Sequence, residues 1–495
     1  MFKKILVANR GEIALRVMST CREMGIATVA VYSDADSKAL HTMVADQAVY
    51  LGQSDPADSY LNMEKIIDAA KETGADAIHP GYGFLSENAD FARSCEAKNI
   101  VFIGPPAQVI GNLGDKTKAR GIMEKGSVAV IPGMTEPCSE PAVMAQEAKR
   151  IGYPILIKAA AGGGGKGMRV VSSNSEMADS FNQAQSEAKA AFGNNAVYLE
   201  KYLKKPRHVE FQILADTHGN IVHLLERECS IQRRYQKIIE ETPSPAMTPE
   251  LREEMGQAAV SAARASGYVN AGTVEFLLDT DGRFYFLEVN TRLQVEHPIT
   301  EMITNIDIVR QQIQIASGMP LDFTQKDIIG RGHAIECRIY GEDPGNRFFP
   351  SPGKISYIKE PTGPGIRNDC GVYSGFEVPM EYDPIISKLI VHAADRKQAV
   401  SRMINALSQY VVLGIKTPIP FLMDVLASEP FQKGETYTDF IDTWFDGWQQ
   451  NSDEADLAVL AHIIDEMAGE KRQQAESSVS YENETPWQTL GNWRM

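Results

Sequence analysis

The chain has 495 residues, enough for roughly two to four domains with cores of their own. Its 49 lysines and arginines against 65 acidic residues leave a net charge of −16, which excludes a surface built to wrap nucleic acid and leaves room only for a local basic cleft. Hydrophobic content of 43% excludes global disorder, and the longest apolar runs fall far short of the roughly 18 residues of a membrane helix. Six cysteines lie scattered with no CxxC pair, so zinc-ribbon and disulfide-scaffold readings fail and a reduced cytoplasm is expected. At the N-terminus two lysines precede only four apolar residues, too few for a signal peptide and right for a first strand.

In the first hundred residues short β-rich runs alternate with helical ones. Strands are expected at Lys4–Ala8, Ala27–Tyr32, Ala48–Leu51, Asp76–His79 and Ile100–Gly104, and a helix at Glu12–Glu23, where Ile13, Val17 and Cys21 recur on one face. This order predicts a doubly wound parallel sheet, which places ligands beyond its strand C-termini. The loops there are Asn9–Glu12, Ser33–Asp36 and His79–Asn88. No GxGxxG follows the first strand, so a nicotinamide dinucleotide is disfavoured.

Residues Gly111–Glu124 read as one helix, and Pro132 and Pro137 mark a boundary beyond it. A compact module follows, from about Ile131 to Leu203. Within it a strand ends in Lys158 and runs into four glycines, Gly162–Gly165, then Lys166 and Gly167. Backbone without Cβ atoms can approach an anion closely and aim successive N–H groups at it. No Ser or Thr follows the lysine, so this is a phosphate-covering flap rather than a Walker loop. The glycines alone fit a flexible hairpin tip equally well; the flanking lysines tilt the reading toward phosphate. Lys116, taken alone, reads as a surface lysine.

From His208 onward alternating strands are expected at His208–Ala215, Ile221–Arg227, Gly272–Leu278, Arg283–Asn290, Gly332–Tyr340 and Ile385–His392, forming a large α+β domain. Arg227, Arg233, Arg234 and Lys237 fall in Glu226–Lys237, whose default reading is a solvated basic segment, with added anion-binding charge as the alternative. A two-residue period places Phe284, Phe286, Glu288 and Asn290 on one strand face, with Glu275 in a similar setting on the strand before. Glu275, Glu288 and Asn290 make an all-oxygen set suited to Mg²⁺ carrying a phosphate ligand; an exposed face with ordinary acids is the alternative. Arg292, Gln294 and Glu296 continue past the strand, and His297-Pro298 breaks regular structure there. Near the end Leu457, Leu460, Ile464 and Met467 space as one helix face, and a polar tail follows Ala468. A solvated tail is the simple reading, with docking onto a partner through Trp487 or Trp493 as the alternative.

Taken together, Ala8–Ala14 (Ala-Asn-Arg-Gly-Glu-Ile-Ala), His79–Asn88, Gly162–Met168, Glu200–Leu203, Arg207–Glu210, Cys229–Arg234, Glu288–Pro298 and Ala334–Ile339 closely resemble, in order, the biotin carboxylase family of ATP-grasp enzymes, from about Phe2 to Trp448. The resemblance implies an N-terminal domain at 1–115, a helical linker at 116–130, a lid at 131–203, an ATP-grasp and C-terminal domain at 204–448 and an extension at 449–495. It implies carboxylation of biotin on a separate carrier: bicarbonate attacks the γ-phosphate of ATP bound with Mg (or Mn), carboxyphosphate yields CO₂, and the deprotonated ureido nitrogen of biotin captures it. Carried over residue by residue, Lys116, Lys158, Gly164, Gly165 and His208 hold the nucleotide and its phosphates. Glu200, Lys201 and Leu203 lie on the adenine-reading hinge, and Glu275, Glu288 and Asn290 hold the metal.

By the same resemblance, Lys237, Arg292, Gln294 and the backbone of Val295 form the bicarbonate pocket with Glu296 as the base, Arg338 stabilises the biotin enolate, and Tyr82 and Gly83 line the biotin site. Tyr235 stands where the family commonly has a histidine near the ribose. No Met-Lys-Met biotin-attachment tripeptide occurs, and about 45 residues follow Trp448, so a separate subunit is expected that meets a biotinyl carrier protein and a carboxyltransferase, itself a homodimer, with no nucleic acid or membrane partner. The rival readings are another ATP-grasp ligase with a different acceptor and a silent nucleotide-binding scaffold. Whether the final acceptor is acetyl-CoA, another acyl-CoA or pyruvate depends on the partner.

Overall fold

In the computed structural model, residues 1–134, 136–159, 168–234 and 236–450 are described. Gly164, Gly165, Tyr235 and the helix expected around Leu457–Met467 lie outside them, as do Trp487 and Trp493. Met1–Gly447 forms one unit.

The N-terminal strands are β1 (Lys4–Val7), β2 (Ala27–Ser33), β3 (Gln47–Gly52), β4 (Ala77–His79) and β5 (Val101–Phe102), in the order β3-β2-β1-β4-β5. Every pairing is parallel, as the alternation of strand and helix predicts. Helix α1 (Gly11–Glu23) buries Ile13, Val17 and Cys21 against this sheet. The single helix expected at Gly111–Glu124 is two: α2 (Ala107–Gly114) and α3 (Lys116–Lys125). They part at Asp115, whose carboxylate caps α3 by accepting from the N–H groups of Thr117 and Lys118 at 3.0 and 3.1 Å. The break sets Lys116 at the first turn of a new helix, not on a continuous helix face.

The next module is a three-stranded antiparallel sheet, β6 (Ile155–Ala159), β7 (Arg169–Val171) and β8 (Val197–Lys201), in the order β7-β6-β8, backed by α4 (Met177–Phe192). Its own small core gathers Ile155, Ile157, Val171, Phe181, Val197 and Leu199.

An eight-stranded antiparallel sheet follows, built from β9 (Arg207–Ala215), β10 (Ile221–Arg233), β11 (Gln236–Thr242), β12 (Asn270–Leu278), β13 (Phe284–Asn290), β14 (His333–Tyr340), β15 (Ile366–Cys370) and β16 (Ile385–Ala393). The order is β13-β12-β9-β10-β11-β14-β16-β15. Helix α5 (Pro249–Ser266) covers one face, where Val209, Phe211 and Ile213 of β9 meet Val274 and Phe276 of β12. Period-two alternation then turns His208, Glu210 and Gln212 to the opposite face. Among the described residues no helix is long and apolar enough to cross a membrane, and all six cysteines are free.

Two expectations about this sheet are corrected. The segment Glu226–Lys237 is not a solvated basic stretch: β10 runs on to Arg233, β11 begins at Gln236, and Arg227 has no solvent exposure at all. Nor do Phe284, Phe286, Glu288 and Asn290 share one face. Phe276 pairs with Phe286 but Glu275 pairs with Glu288, so Leu287 is an extra residue in β13. This bulge flips the side-chain parity: Phe284 and Phe286 pack in the α5 core with Val289, while Glu288 and Asn290 open on the cleft.

Candidate active site

A cavity of ≈ 1630 Å³ opens beyond the C-terminal ends of the parallel strands and over the free face of the antiparallel sheet. A single small ligand occupies roughly 300–1000 Å³, so this cleft has room for more than one. It is lined by Asn9–Glu12 and Tyr82–Phe84 from the first sheet, by Lys158 and Glu200–Lys205 from the three-stranded module, and by His208, Glu275, Glu288, Asn290, Arg292, Gln294, Val295 and Arg338 from the large sheet. Lys116 lines it too, from the start of α3.

The floor of the cleft is one rung of the large sheet. Glu288 of β13 faces Glu275 of β12, Glu275 faces Glu210 of β9, and Glu210 faces Arg227 of β10. Three carboxylates side by side would repel one another and lose hydration, so cations must hold them. Arg227 donates to Glu210 Oε1 at 2.6 Å and also reaches Gln212, Thr273 and Thr300. Lys237, from the start of β11, sets its ammonium 2.5 Å from Glu210 Oε2, 2.8 Å from Glu275 Oε1 and 2.8 Å from Glu296 Oε1. Although burial opposes its charge, these three carboxylates hold the Lys237 ammonium well above the ordinary lysine range.

Glu296 is wholly buried and divided between two cations. Its Oε1 faces Lys237 and its Oε2 accepts from Arg338 Nη2 at 2.8 Å. Burial alone favours the neutral acid, but Lys237, Arg338 and Arg227 overcome it and bring Glu296 well below the usual carboxylate range. Glu275 is likewise depressed: burial is outweighed by Lys237 and by His208, whose Nε2 lies 2.8 Å from Glu275 Oε2. Arg338 donates from Nε to Glu240 at 2.6 Å, and burial raises Glu240 to about 7 in spite of that contact.

Arg292 is spread over four acceptors: Glu87 Oε2 at 3.0 Å, Gln294 Oε1 at 2.9 Å, Asn290 Oδ1 at 3.0 Å and the Leu293 carbonyl at 3.2 Å. Glu87 also accepts from the N–H of Thr291, so it ties the His79–Asn88 loop to the segment carrying Arg292, Gln294, Val295 and Glu296. Tyr82 donates its hydroxyl to Glu12, and Asn9 holds that loop by donating to the carbonyls of Pro80 and Tyr82 at 2.8 and 2.7 Å. On the lid side Lys158 pairs with Glu200, whereas Lys201 donates to the carbonyls of Gly152 and Tyr153 and so braces its own module.

Of the metal-ligating set expected from the sequence, Glu275 already receives Lys237, Asn290 and Gln294 on one oxygen and His208 near the other. Glu288 has no hydrogen bond or ion pair among the described residues and opens on the cleft; burial and the neighbouring Glu275 raise its pKa. An unpartnered carboxylate beside a second carboxylate and an amide oxygen is a donor set that fits a hard divalent cation. The tighter cluster of His208, Glu210 and Glu275 converges around the Lys237 ammonium instead.

The sequence reading missed Glu210, Glu240, Glu87, Glu12 and Lys388, and left Arg227 in a segment read by default as solvated. Glu210 was within reach, two residues beyond His208 on one strand, and Lys388 was a lone charge inside the apolar run Ile385–Ile390. Arg227 and Glu240 carry no such local mark, because only the pairing of β10, β11 and β14 buries them.

Comparison with known proteins matches this architecture segment by segment. Family models described as "Biotin carboxylase, N-terminal domain", "Carbamoyl-phosphate synthase L chain, ATP binding domain" and "Biotin carboxylase C-terminal domain" match residues 1–110, 115–324 and 336–443. A pyruvate carboxylase subunit of Methanothermobacter thermautotrophicus is 56% identical over 444 residues, 90% of each chain. Biotin carboxylase 1 of Bacillus subtilis is 52% identical over 448 residues, 90% of this chain and 99% of its own. Among solved structures, the biotin carboxylase domain dimer of Hydrogenobacter thermophilus 2-oxoglutarate carboxylase, in complex with MgADP, ADP and bicarbonate, superposes with a TM-score of 0.86 at 48% identity, covering 91% of this chain and 99% of that one.

Proposed function

Because this chain belongs to the biotin carboxylase family, we propose that its cleft joins bicarbonate and ATP on the large sheet and hands CO₂ to biotin beside Tyr82. The observation that carries the reading is Glu296: one carboxylate, wholly buried, with its two oxygens on Lys237 and Arg338, at the end of the segment that also aims Arg292 and Gln294 into the cleft.

Lys116, Lys158 and His208 cradle the nucleotide phosphates with the glycines Gly164 and Gly165, and Glu200, Lys201 and Leu203 read the adenine, with Tyr235 near the ribose. Glu288 and Glu275, with Asn290 beside them, would hold the Mg²⁺ (or Mn²⁺) that arrives with ATP and neutralises charge on its phosphates. Lys237, Arg292, Gln294 and the Val295 N–H hold bicarbonate. Glu296, ionised throughout the neutral range, accepts the bicarbonate proton as a bicarbonate oxygen bonds to the γ-phosphorus and ADP departs. A positioned carboxylate is needed because bicarbonate is a weak nucleophile while it keeps that proton.

Carboxyphosphate then splits to CO₂ and phosphate. Biotin, seated against Tyr82 and Gly83, loses its ureido N–H proton to the phosphate just released, and the negative charge that spreads onto its ureido oxygen falls to Arg338. The nitrogen pair bonds to CO₂ and gives carboxybiotin. Fixed cations perform these steps without reorganising, because Glu210, Glu240 and Glu296 already hold them in place.

The chain then serves as the biotin carboxylase subunit of a multi-subunit carboxylase. Its partners in that role are a biotinyl carrier protein, a carboxyltransferase and a second copy of itself. The carboxyltransferase selects the final acceptor, with acyl-CoA favoured and a 2-oxoacid such as pyruvate as the other candidate. The test is direct: with Mg-ATP, labelled bicarbonate and free biotin, the protein should form acid-labile labelled carboxybiotin together with ADP. ADP release without carboxybiotin would overturn the assignment and favour another ATP-grasp acceptor; neither product would favour a scaffold.

A further inference from the structure

Lys388 lies in the middle of β16 with no solvent exposure, a place where an ammonium costs several kcal/mol unless partners surround it. Its Nζ is 3.1 Å from Glu12 Oε2 and 3.7 Å from Asp369 Oδ2, and it donates to the main-chain carbonyl of Val295 at 3.1 Å. Across the sheet its Cα partner is Arg338. Two of these contacts, to Glu12 and to Val295, lead to different parts of the cleft. Glu12 accepts the Tyr82 hydroxyl on its other oxygen, so Lys388 holds the residue that holds Tyr82. The carbonyl of Val295 belongs to the peptide from which Glu296 continues. One buried ammonium therefore ties the Tyr82 loop, from the first sheet, to the Arg292–Glu296 segment of the large sheet.

We propose that Lys388 is a positioning residue whose ammonium, bridging Glu12 and the Val295 carbonyl, fixes the separation between the biotin loop and the bicarbonate segment. The inference rests on the roles proposed above for those two segments. It differs from the bridge made by Glu87 and Arg292, which joins the same elements near the cleft surface through a half-exposed carboxylate. Lys388 acts from beneath, where water cannot replace it, so losing it loosens both segments at once while Asn9 and Glu87 still hold the loop.

The test compares wild type with Lys388→Met in ADP release driven by Mg-ATP, bicarbonate and free biotin, with melting curves alongside. The expected result is a lower kcat, with KM for biotin and KM for bicarbonate each raised about tenfold, the usual effect of removing a residue that orients a binding group, and KM for ATP within about twofold. If the stranded Glu12 carboxylate prevents folding, Glu12→Gln combined with Lys388→Met removes that charge, keeps an acceptor for Tyr82 and is held to the same three KM values. A folded variant whose KM values are all unchanged, or all rise together, overturns the proposal. Wild type without biotin-dependent ADP release would instead refute the functional reading, so the two failures are distinguishable.

Discussion

Replacing Lys237 with methionine removes the cation shared by three buried carboxylates and nothing else of comparable size. Breaking a buried pair by deleting one partner costs about 3–5 kcal/mol. Here each carboxylate keeps a second partner: Arg227 on Glu210, His208 on Glu275 and Arg338 on Glu296, at 2.6, 2.8 and 2.8 Å. The cost therefore belongs at the lower end, about 3 kcal/mol, which lowers the melting temperature of a chain this long by about 3 °C. Arg227→Met, which leaves Glu210 with Lys237 alone and takes the same donor from Gln212, Thr273 and Thr300, belongs at the upper end, about 5 kcal/mol and about 5 °C. Without Lys237 the folded-state pKa values of Glu275 and Glu296 rise from well below the usual range, and that of Glu210, which burial already holds above it, rises further. The folded variant then binds protons more readily than folded wild type, so its deficit is largest at pH 8 and shrinks on acidification. Thermal melts of both variants and wild type at pH 8 and pH 6 give the comparison, and ADP release should fall by at least about 100-fold for Lys237→Met, as when a fixed charge-stabilising donor is lost. A Lys237→Met protein as stable as wild type at pH 8 would refute this electrostatic account of the cleft floor.

Three further outcomes follow from other groups. Burial raises Glu240 from 4.5 to about 7, so the folded chain keeps a proton that the unfolded chain releases over that window; stability falls as pH rises through it, and Glu240→Gln should flatten that slope in denaturant titrations. The same variant should remove an ionisation near pH 7 from the pH profile of kcat/KM for biotin, since Glu240 bears on Arg338. His41 and His79, both buried, are lowered from 6.5 to about 4, chiefly by burial; their contribution has the opposite sign, full above pH 6.5 and lost as pH falls toward 4, and His41→Gln with His79→Gln should reduce that acid loss. Glu288→Gln removes a side chain with no hydrogen bond or ion pair among the described residues, so stability should stay within about 0.5 kcal/mol while the Mg-ATP concentration for half-maximal rate rises roughly 10–100-fold.

Much of the architecture is legible from local pattern, because strand and helix periods depend on neighbouring residues. The five parallel strands and the strands carrying His208, Glu275 and Glu288 are where the alternation of apolar residues puts them. Three features escaped for one physical reason: each depends on what a segment packs against. The bulge at Leu287 is set by pairing with β12, and it reversed the expected company of Phe286 and Glu288. Arg227 lies in a charged run that reads as solvated until β9 and β12 are laid beside it with their own polar groups turned inward. Glu12 with Lys388 and Glu87 with Arg292 join residues more than 200 positions apart, and Lys388 reaches Val295 across 93, which no local window connects. Asp115 is a different case, since an Asp after Gly114 is a helix-start signal that the apolar pattern of Gly111–Glu124 obscured.

The most direct measurement is ADP release with Mg-ATP and bicarbonate, with and without free biotin, on wild type and Arg338→Ala. The account predicts turnover stimulated by biotin in wild type and a loss of that stimulation by about 100-fold or more in the variant, the effect of removing a preorganised charge from a developing oxyanion. Turnover indifferent to biotin, or stimulation that survives without Arg338, would contradict it.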